Sequence, residues 1–308
     1  MHAAVLTRPD APPRYAEHPD PVAAGAHEVV VEVLAAGLHH LTRARATGGH
    51  YSTAPVLPLV PGADGVVVDP DGRLRYAVVD GGGDGTFAER AVVDLRRTVV
   101  LPDDTDPVRV AAAMNPGMSS WLALRRRIRF EPGSRVLVLG ATGNAGRMAI
   151  QVARLCGASS VVAAGRDAAL LAELPALGAD ATCALDDLTP AADVDVVLDY
   201  LWGAPASAAL VPMLSARTDR SRPLTWVQIG SVAGEVAAVP SVALRSAPVQ
   251  LVGSGIGSVA ARDIVEELPS LVEAVERGEL DVRARAVPLA DVAAAWDEPT
   301  RDRLVLVP

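Results

Sequence analysis

The pattern of apolar and polar positions changes character near residue 115. Before it, short alternating or apolar segments are separated by Gly, Pro and Asp, which predicts an irregular β-rich region. After it, short apolar runs alternate with Ala- and Leu-rich helical stretches, as in a parallel sheet covered by helices. The strands predicted in the first region are His27–Leu34, Gly65–Val68, Thr86–Val93 and Thr98–Leu101. Those in the second are Arg135–Leu139, Ser160–Ala164, Thr182–Ala184, Val194–Asp199, Leu224–Ile229 and Val249–Gly253.

The pattern of the last part of the chain predicts that this part belongs to the first region. Asp263–Glu279 has the spacing of a long amphipathic helix, and Arg283–Val287 and Arg303–Val307 read as short strands. We therefore predict the α/β class with two domains. Residues 1–115 and 259–308 form a β-rich domain, and residues 116–258 form a doubly wound parallel sheet with its helices.

The most specific motif follows the first strand of the second region. Apolar Val136–Leu139 runs into seven small residues before the helical run Arg147–Leu155: Gly140, Ala141, Thr142, Gly143, Asn144, Ala145 and Gly146. Small residues let the backbone approach a pyrophosphate, and the next helix directs its N–H groups and positive dipole end at it. The strand, the glycines, the helix and the second strand, in this order, predict a Rossmann dinucleotide site. The alternative is a tight turn with no ligand.

The end of the second strand bears on the choice of cofactor. Gly165, Arg166 and Asp167 stand there, and Arg166 lies 20 residues after Gly146, where an NAD site has an acid on the ribose 2′-hydroxyl. A guanidinium suits a 2′-phosphate instead, so we predict NADPH. Asp167 leaves two alternatives open: it binds the ribose and favours NAD if the strand extends one residue further, or it caps the helix Ala168–Leu174.

Three further segments end later strands on the side where ligands of open α/β sheets bind. Gly230 and Ser231 follow the fifth strand, and Gly253 and Ser254 follow the sixth, so we predict that they flank the nicotinamide. Trp202 follows the fourth strand. It covers one face of the cofactor or is ordinary packing.

Composition excludes several classes of protein. The net charge of −9 disfavours binding to nucleic acid. All 28 basic residues are Arg, so mechanisms that need a Lys, such as Schiff-base or P-loop chemistry, are absent. The two cysteines cannot form a Cys-rich metal cluster, and we find no membrane span or signal peptide. These features predict a cytoplasmic protein that acts on a small molecule and has no membrane partner.

Several segments, in the right order along nearly the whole chain, resemble the medium-chain dehydrogenase/reductase superfamily and its zinc-free quinone oxidoreductase branch. The segments that carry the resemblance are Ala35–Leu38, Gly49–Tyr51, Leu57–Gly65, Gly85–Glu89, Ala111–Leu124 and Glu131–Arg135. The resemblance implies a Rossmann domain plus a β-rich, GroES-like catalytic domain. It also implies hydride transfer from NADPH to a quinone or α,β-unsaturated carbonyl, and a homodimer built through the edge of the Rossmann sheet.

The same resemblance implies that no catalytic zinc is present. Where zinc members carry their ligands, this chain has His39, then Ala63 and Asp64, then Asn115. A tetrahedral zinc site needs three good N, S or O ligands, and this set is poor.

Three residues are candidates for catalysis. Tyr51 resembles a tyrosine that enoyl reductases of the superfamily use at the oxygen of the acceptor; the alternative is a residue of the site's wall. His39 is a candidate acid, or else at least one of His39 and His40 is hydrogen-bonded for structure. Asn115 binds substrate or the nicotinamide ribose, or caps a helix Ser119–Arg127.

Two other functions remain open from the sequence. One is a zinc-free alcohol dehydrogenase or ketoreductase with His39 or Tyr51 as the acid. The other is a nucleotide-binding redox sensor without turnover.

Overall fold

A computed structural model describes residues 1–51, 56–79 and 82–308. Its strands are β1 His2–Val5, β2 Arg14–Glu17, β3 Glu28–Gly37, β4 Asp64–Val68, β5 Leu74–Val78, β6 Arg90–Asp94, β7 Thr98–Val100, β8 Arg135–Leu139, β9 Ser160–Gly165, β10 Ala181–Ala184, β11 Val196–Asp199, β12 Leu224–Gln228, β13 Val249–Gly253, β14 Ala284–Pro288 and β15 Arg303–Val307. Its α-helices are α1 His40–Ala46, α2 Pro107–Leu122, α3 Asn144–Leu155, α4 Ala168–Leu171, α5 Gly203–Ala216, α6 Ser241–Ser246, α7 Ala261–Glu276 and α8 Val292–Ala295.

The chain forms two compact units. The first contains Met1–Asn115, Ala261–Gly278 and Val282–Pro308, and the second contains Pro116–Ala260 and Glu279–Asp281. Each unit has its own sheet and its own apolar core. The α/β class, with a parallel sheet in one part and an antiparallel sheet in another, is confirmed.

The first unit is built on a sheet of order β14-β15-β3-β4-β5-β7, with β6 also paired to β3 and a separate β1-β2 hairpin. Most pairs are antiparallel, and β14 with β15 is parallel. Its core contains Leu6, Val33, Phe87 and Trp296. We did not predict β1, β2 or β5. The predicted strand Thr86–Val93 begins only at Arg90 because Phe87 bonds to Ala4 and Pro61 instead.

The second unit holds six parallel strands in the order β10-β9-β8-β11-β12-β13. Numbered from its first strand, this is the order 3-2-1-4-5-6 of a Rossmann sheet. The strand order runs one way from β8 to β10 and the other way from β11 to β13, so the switch point lies between β8 and β11, at their carboxyl ends. β11 is buried throughout, and β8 and β9 are buried after their first residues, which is why they read as apolar runs.

Two predicted helices differ from the structure. The predicted helix Ala168–Leu174 ends at Leu171, and a 3-10 turn, Leu174–Leu177, follows it. The alternative that Asn115 caps a helix Ser119–Arg127 is wrong, because α2 begins at Pro107 and continues through Asn115 to Leu122. A π-helical turn, Ala123–Arg127, follows directly.

Candidate active site

The loop between β8 and α3 has the geometry of a phosphate-binding turn. Gly140 has a φ of 82° and donates its N–H to Ala164 O at 3.1 Å. A Cβ on Gly146 would lie 2.3 Å from Gly140 O, so only glycine lets α3 pack this closely on the turn. Gly140 and Gly146 therefore fix the turn itself.

Gly143 has a different role, because the space around it is open. A Cβ there would meet Gly140 O alone, at 3.6 Å. Gly143 is the N-cap of α3 and offers the helix no side-chain hydrogen bond, and no acidic residue stands in its first turn. The first-turn N–H groups and the positive end of the helix dipole are thus available to an anion. The turn fits the pyrophosphate of a dinucleotide.

The structure at the end of β9 shows which hydrogen bonds Asp167 forms. The strand ends at Gly165, and Asp167 Oδ1 accepts the N–H groups of Ala169 at 3.0 Å and Leu170 at 3.1 Å. Asp167 therefore caps α4, the second of the two alternatives. Arg166 is exposed, and among the described residues it has no hydrogen bond or ion pair. A Cβ on Gly165 would lie 2.9 Å from Cγ2 of Thr142, which places Thr142 against the end of this strand.

The other predicted cofactor residues follow the strands on the far side of the switch point. Gly230 donates its N–H to Asp199 O at 3.1 Å, and Ser231 comes next. Ser254 is buried and donates its N–H to Gln228 O at 2.8 Å, while Gly253 O accepts from Arg127 Nε at 2.7 Å. Because all six strands are parallel, these loops share one edge of the sheet with the loop 140–146 and Arg166. The fold thus brings every predicted cofactor residue to the carboxyl edge.

Sequence reasoning missed Asp199 and Tyr200, which also stand at this edge. Asp199 is fully buried at the end of β11. Tyr200 is buried, its hydroxyl lies 3.0 Å from Ser119 Oγ, and burial raises its pKa to about 12. The available signal was an Asp ending an otherwise wholly apolar strand, a position where a carboxylate needs strong partners.

His39 lies in a buried polar network of the first unit. Its Nδ1 accepts the Thr42 N–H at 3.3 Å at the start of α1, so Nε2 carries the proton and donates to Asp64 Oδ1 at 3.1 Å. Tyr76 donates its hydroxyl to Asp64 Oδ2 at 2.8 Å. Burial lowers the pKa of His39, and it lowers the pKa of nearby Arg303 to about 10. His39 is therefore a neutral, doubly hydrogen-bonded imidazole.

This network does not fit a metal ion, because both ring nitrogens of His39 already have hydrogen-bond partners. Within residues 1–51, 56–79 and 82–308, no three His, Cys, Asp or Glu side chains are grouped so that they could hold one. No helix in the same ranges is both long and apolar enough to cross a bilayer.

Tyr51 and Asn115 complete the predicted site residues. Tyr51 is 75% exposed, and its ring stacks on His50 with the centroids 4.3 Å apart. Asn115 is half-buried inside α2. Residues 52–55, which follow Tyr51, are outside the described part of the chain.

Comparison with known proteins identifies the family. No protein-family model matches the chain. It is 31% identical over 361 aligned positions to a probable NADPH-dependent quinone reductase of Emericella nidulans, covering 100% of both chains. Its fold matches the quinone oxidoreductase of Thermus thermophilus with a TM-score of 0.80 and 27% identity, over 100% of each chain. It also matches a thermostable alcohol dehydrogenase of Pyrobaculum aerophilum, with a TM-score of 0.81 and 25% identity over 100% of this chain and 99% of that one. The chain belongs to the medium-chain dehydrogenase/reductase superfamily, in its quinone oxidoreductase branch.

Proposed function

We propose that this protein is an NADPH-dependent oxidoreductase that reduces a quinone or an α,β-unsaturated carbonyl without a catalytic metal. The observation that carries the proposal is the carboxyl edge of the parallel sheet. There, the N-terminus of α3 has no side-chain cap and Arg166 has no partner among the described residues, and the two follow the adjacent strands β8 and β9. The likeness to quinone reductases over the whole chain supports the substrate class.

Different residues at this edge bind different parts of NADPH. The N–H groups at the start of α3 bind the pyrophosphate over the open face of Gly143. Arg166 pairs with the 2′-phosphate, since a guanidinium forms charge-assisted hydrogen bonds to phosphate oxygens. Gly230, Ser231, Gly253 and Ser254 lie beside the nicotinamide half. Asp167 takes no part, because its Oδ1 accepts from α4.

Conjugated acceptors suit a site without a Lewis acid. NADPH supplies a hydride when bound. The chain's task is then to stabilise the negative charge that develops on the acceptor's oxygen, which hydrogen-bond donors can do. A simple ketone is harder to reduce without a metal, because its carbonyl needs stronger polarisation.

We assign Tyr51 as the donor to that oxygen. Its ring is exposed and oriented by stacking on His50, and a phenol keeps its proton throughout the physiological range. We assign His39 the role of fixing the start of α1 through Asp64, since its nitrogens are both engaged and its ring is buried. Asn115 remains a proposed ligand of substrate or ribose through its amide.

Steady-state rates with NADPH on a quinone, an enone and a simple ketone test the function. We expect turnover of the first two and little of the third. A preference for the ketone would favour the alcohol dehydrogenase or ketoreductase alternative, which the likeness to the Pyrobaculum enzyme supports. Cofactor binding without turnover of any acceptor would favour a redox sensor.

We further propose a homodimer joined at β13. Among the described strands, β13 pairs with β12 alone, so one edge is open to a second copy. Exposed Val232, Val236, Val242 and Leu244 precede it in the chain. Light scattering of the unmutated protein should give twice the mass of one chain, and the variant Gln250→Pro, in the edge strand, should give the mass of one chain.

We also assign the activity to the cytoplasm, which the two free cysteines support. Cell fractionation tests this assignment.

A further inference from the structure

Asp199 is a buried carboxylate at the switch point, where the strand order of the Rossmann sheet reverses. It ends β11, which lies between β8 and β12, and its side chain is fully buried. Among the described residues it forms no ion pair. Burial without a cation raises its pKa. A carboxylate is retained in such a place only if hydrogen-bond donors replace the lost water.

Three N–H groups replace it. Oδ1 accepts from Leu201 N at 2.8 Å and from Trp202 N at 2.9 Å, and Oδ2 accepts from Trp226 Nε1 at 2.9 Å. Two of these donors belong to the backbone that follows Asp199 directly. The third comes from β12, so the carboxylate joins the turn to the neighbouring strand.

The turn that Asp199 holds is strained. Trp202 has φ 52° and ψ −156°, and it is the one non-glycine residue with positive φ in the described ranges. Gly203 follows with φ 60°, and a Cβ there would lie 2.6 Å from Ala233 O. A side chain in the left-handed region persists only where its surroundings enforce it, and such strain gathers at ligand sites. Here the bonds to Asp199 enforce it.

The turn lies directly against the pyrophosphate loop. A Cβ on Gly140 would stand 3.0 Å from the Leu201 side chain and 3.4 Å from Cβ of Tyr200. On the other side, Ala233 N donates to Leu201 O at 2.9 Å, so the turn is also tied to the loop after β12. It therefore occupies the switch-point crevice, where ligands of open parallel sheets bind.

We propose that Asp199 is a positioning residue for the nicotinamide half of the cofactor. It holds the turn Tyr200–Trp202 as one wall of the groove, while Arg166 and the start of α3 hold the adenosine and pyrophosphate. The proposal rests on the proposed function, since it takes NADPH as the ligand. The nicotinamide part and the adenosine part of the groove can be tested separately, because NADPH occupies both and a nucleotide without nicotinamide occupies only the second.

The decisive variant is Asp199→Asn, which keeps the shape of the side chain. The amide oxygen of Asn can still accept the N–H groups of Leu201 and Trp202, but the amide NH2 group then faces the indole N–H of Trp226, and two donors oppose each other. We expect the Kd for NADPH to rise about tenfold or more, as for a lost charge-assisted bond. The Kd for adenosine 2′,5′-bisphosphate, which lacks the nicotinamide half, should change less than about twofold.

Asp195→Asn is the matched control, because Asp195 precedes the same strand at the opposite edge of the sheet and pairs with Arg222. It should alter neither Kd. Equal weakening of both ligands by Asp199→Asn, or no weakening of either, would overturn the positioning role. If the unmutated protein bound the bisphosphate but not NADPH, or neither, the proposed function would fail as well.

A second pair of variants guards against misfolding of Asp199→Asn. In a Trp226→Phe background the opposing donor is gone, so Asp199→Asn can hold the turn and Asp199→Leu, of similar volume, cannot. We expect the Leu variant to bind NADPH about tenfold more weakly than the Asn variant, with equal binding of the bisphosphate. Equal NADPH affinities in these two variants would contradict the proposal.

Discussion

Replacing Arg166 with Ala should remove the preference for NADPH over NADH. The guanidinium is exposed after β9, and its loss removes no hydrogen bond or ion pair with any described residue. Charge-assisted bonds to a phosphate contribute about 1.5–3 kcal/mol, which is about tenfold to over a hundredfold in Kd. Screening at an exposed site places the expected value near the lower end.

Calorimetric titration of both cofactors measures this effect. The Kd for NADPH should rise at least about tenfold in Arg166→Ala, and the Kd for NADH should stay within about twofold. Raising the salt concentration should narrow the difference between the Kd values for NADPH and NADH in the unmutated protein, and it should have no such effect in Arg166→Ala.

Two control variants separate the local contact from other effects. Arg129→Ala removes another exposed arginine, which pairs with Glu131, and should leave both affinities unchanged. Asp167→Ala removes the cap of α4 and should lower stability by about 1 kcal/mol without altering the ratio of the affinities. Equal Kd values for the two cofactors in the unmutated protein, or a ratio that depends on Asp167, would refute the assignment.

Four further predictions address the site and the core. Gly146→Ala should destabilise the fold and abolish NADPH binding, because its Cβ would lie 2.3 Å from backbone, whereas Gly143→Ala should retain a stable fold. Equal melting temperatures of the two variants would contradict this prediction. Tyr51→Phe should lower kcat for an enone about 10²–10³-fold and leave the Kd for NADPH unchanged, and unaltered turnover would remove Tyr51 from the mechanism. Chelator treatment should not reduce the rate, and stoichiometric zinc whose removal stops turnover would overturn the metal-free reaction. Burial raises the pKa of Cys183 to about 11, so alkylation of its thiol should be negligible at about pH 8 and should accelerate as the pH rises toward 11. Alkylation of Cys156, followed in the same samples, serves as the control.

The sequence predicted the nucleotide-binding unit well for a physical reason. Strands of a parallel sheet are buried on both faces, so β8, β9 and β11 stand out as apolar runs between helical stretches. The glycine spacing then located the turn after β8, because Gly140 is required by its positive φ and Gly146 by the close approach of neighbouring backbone.

The β-rich unit was harder because its strands are short and only partly apolar. β5 contains Arg75 and follows the turn Asp69–Arg73, in which Asp69 Oδ1 accepts the N–H groups of Asp71 and Arg73. The Pro-Asp-Gly sequence of that turn is a hairpin signal, and it is the feature of the sequence that indicates β5.

The polar networks could not be derived from sequence, because their partners are distant along the chain. His39 lies 25 residues from Asp64, and Asp199 lies 27 residues from Trp226. Periodicity identifies which residues are buried but not which buried polar groups meet. The roles of these residues therefore became arguable only once the strands were paired.

The central claim, hydride transfer from NADPH to a conjugated acceptor, is tested most directly by anaerobic single-turnover kinetics. Enzyme loaded with NADPH is mixed with a quinone, and the oxidised cofactor and the hydroquinone are measured together. We expect both products to form at the same rate and in equal amounts, and we expect NADPH deuterated at the transferred position to slow the formation of both. Bound NADPH that stays reduced in the presence of quinone and enone alike would contradict it.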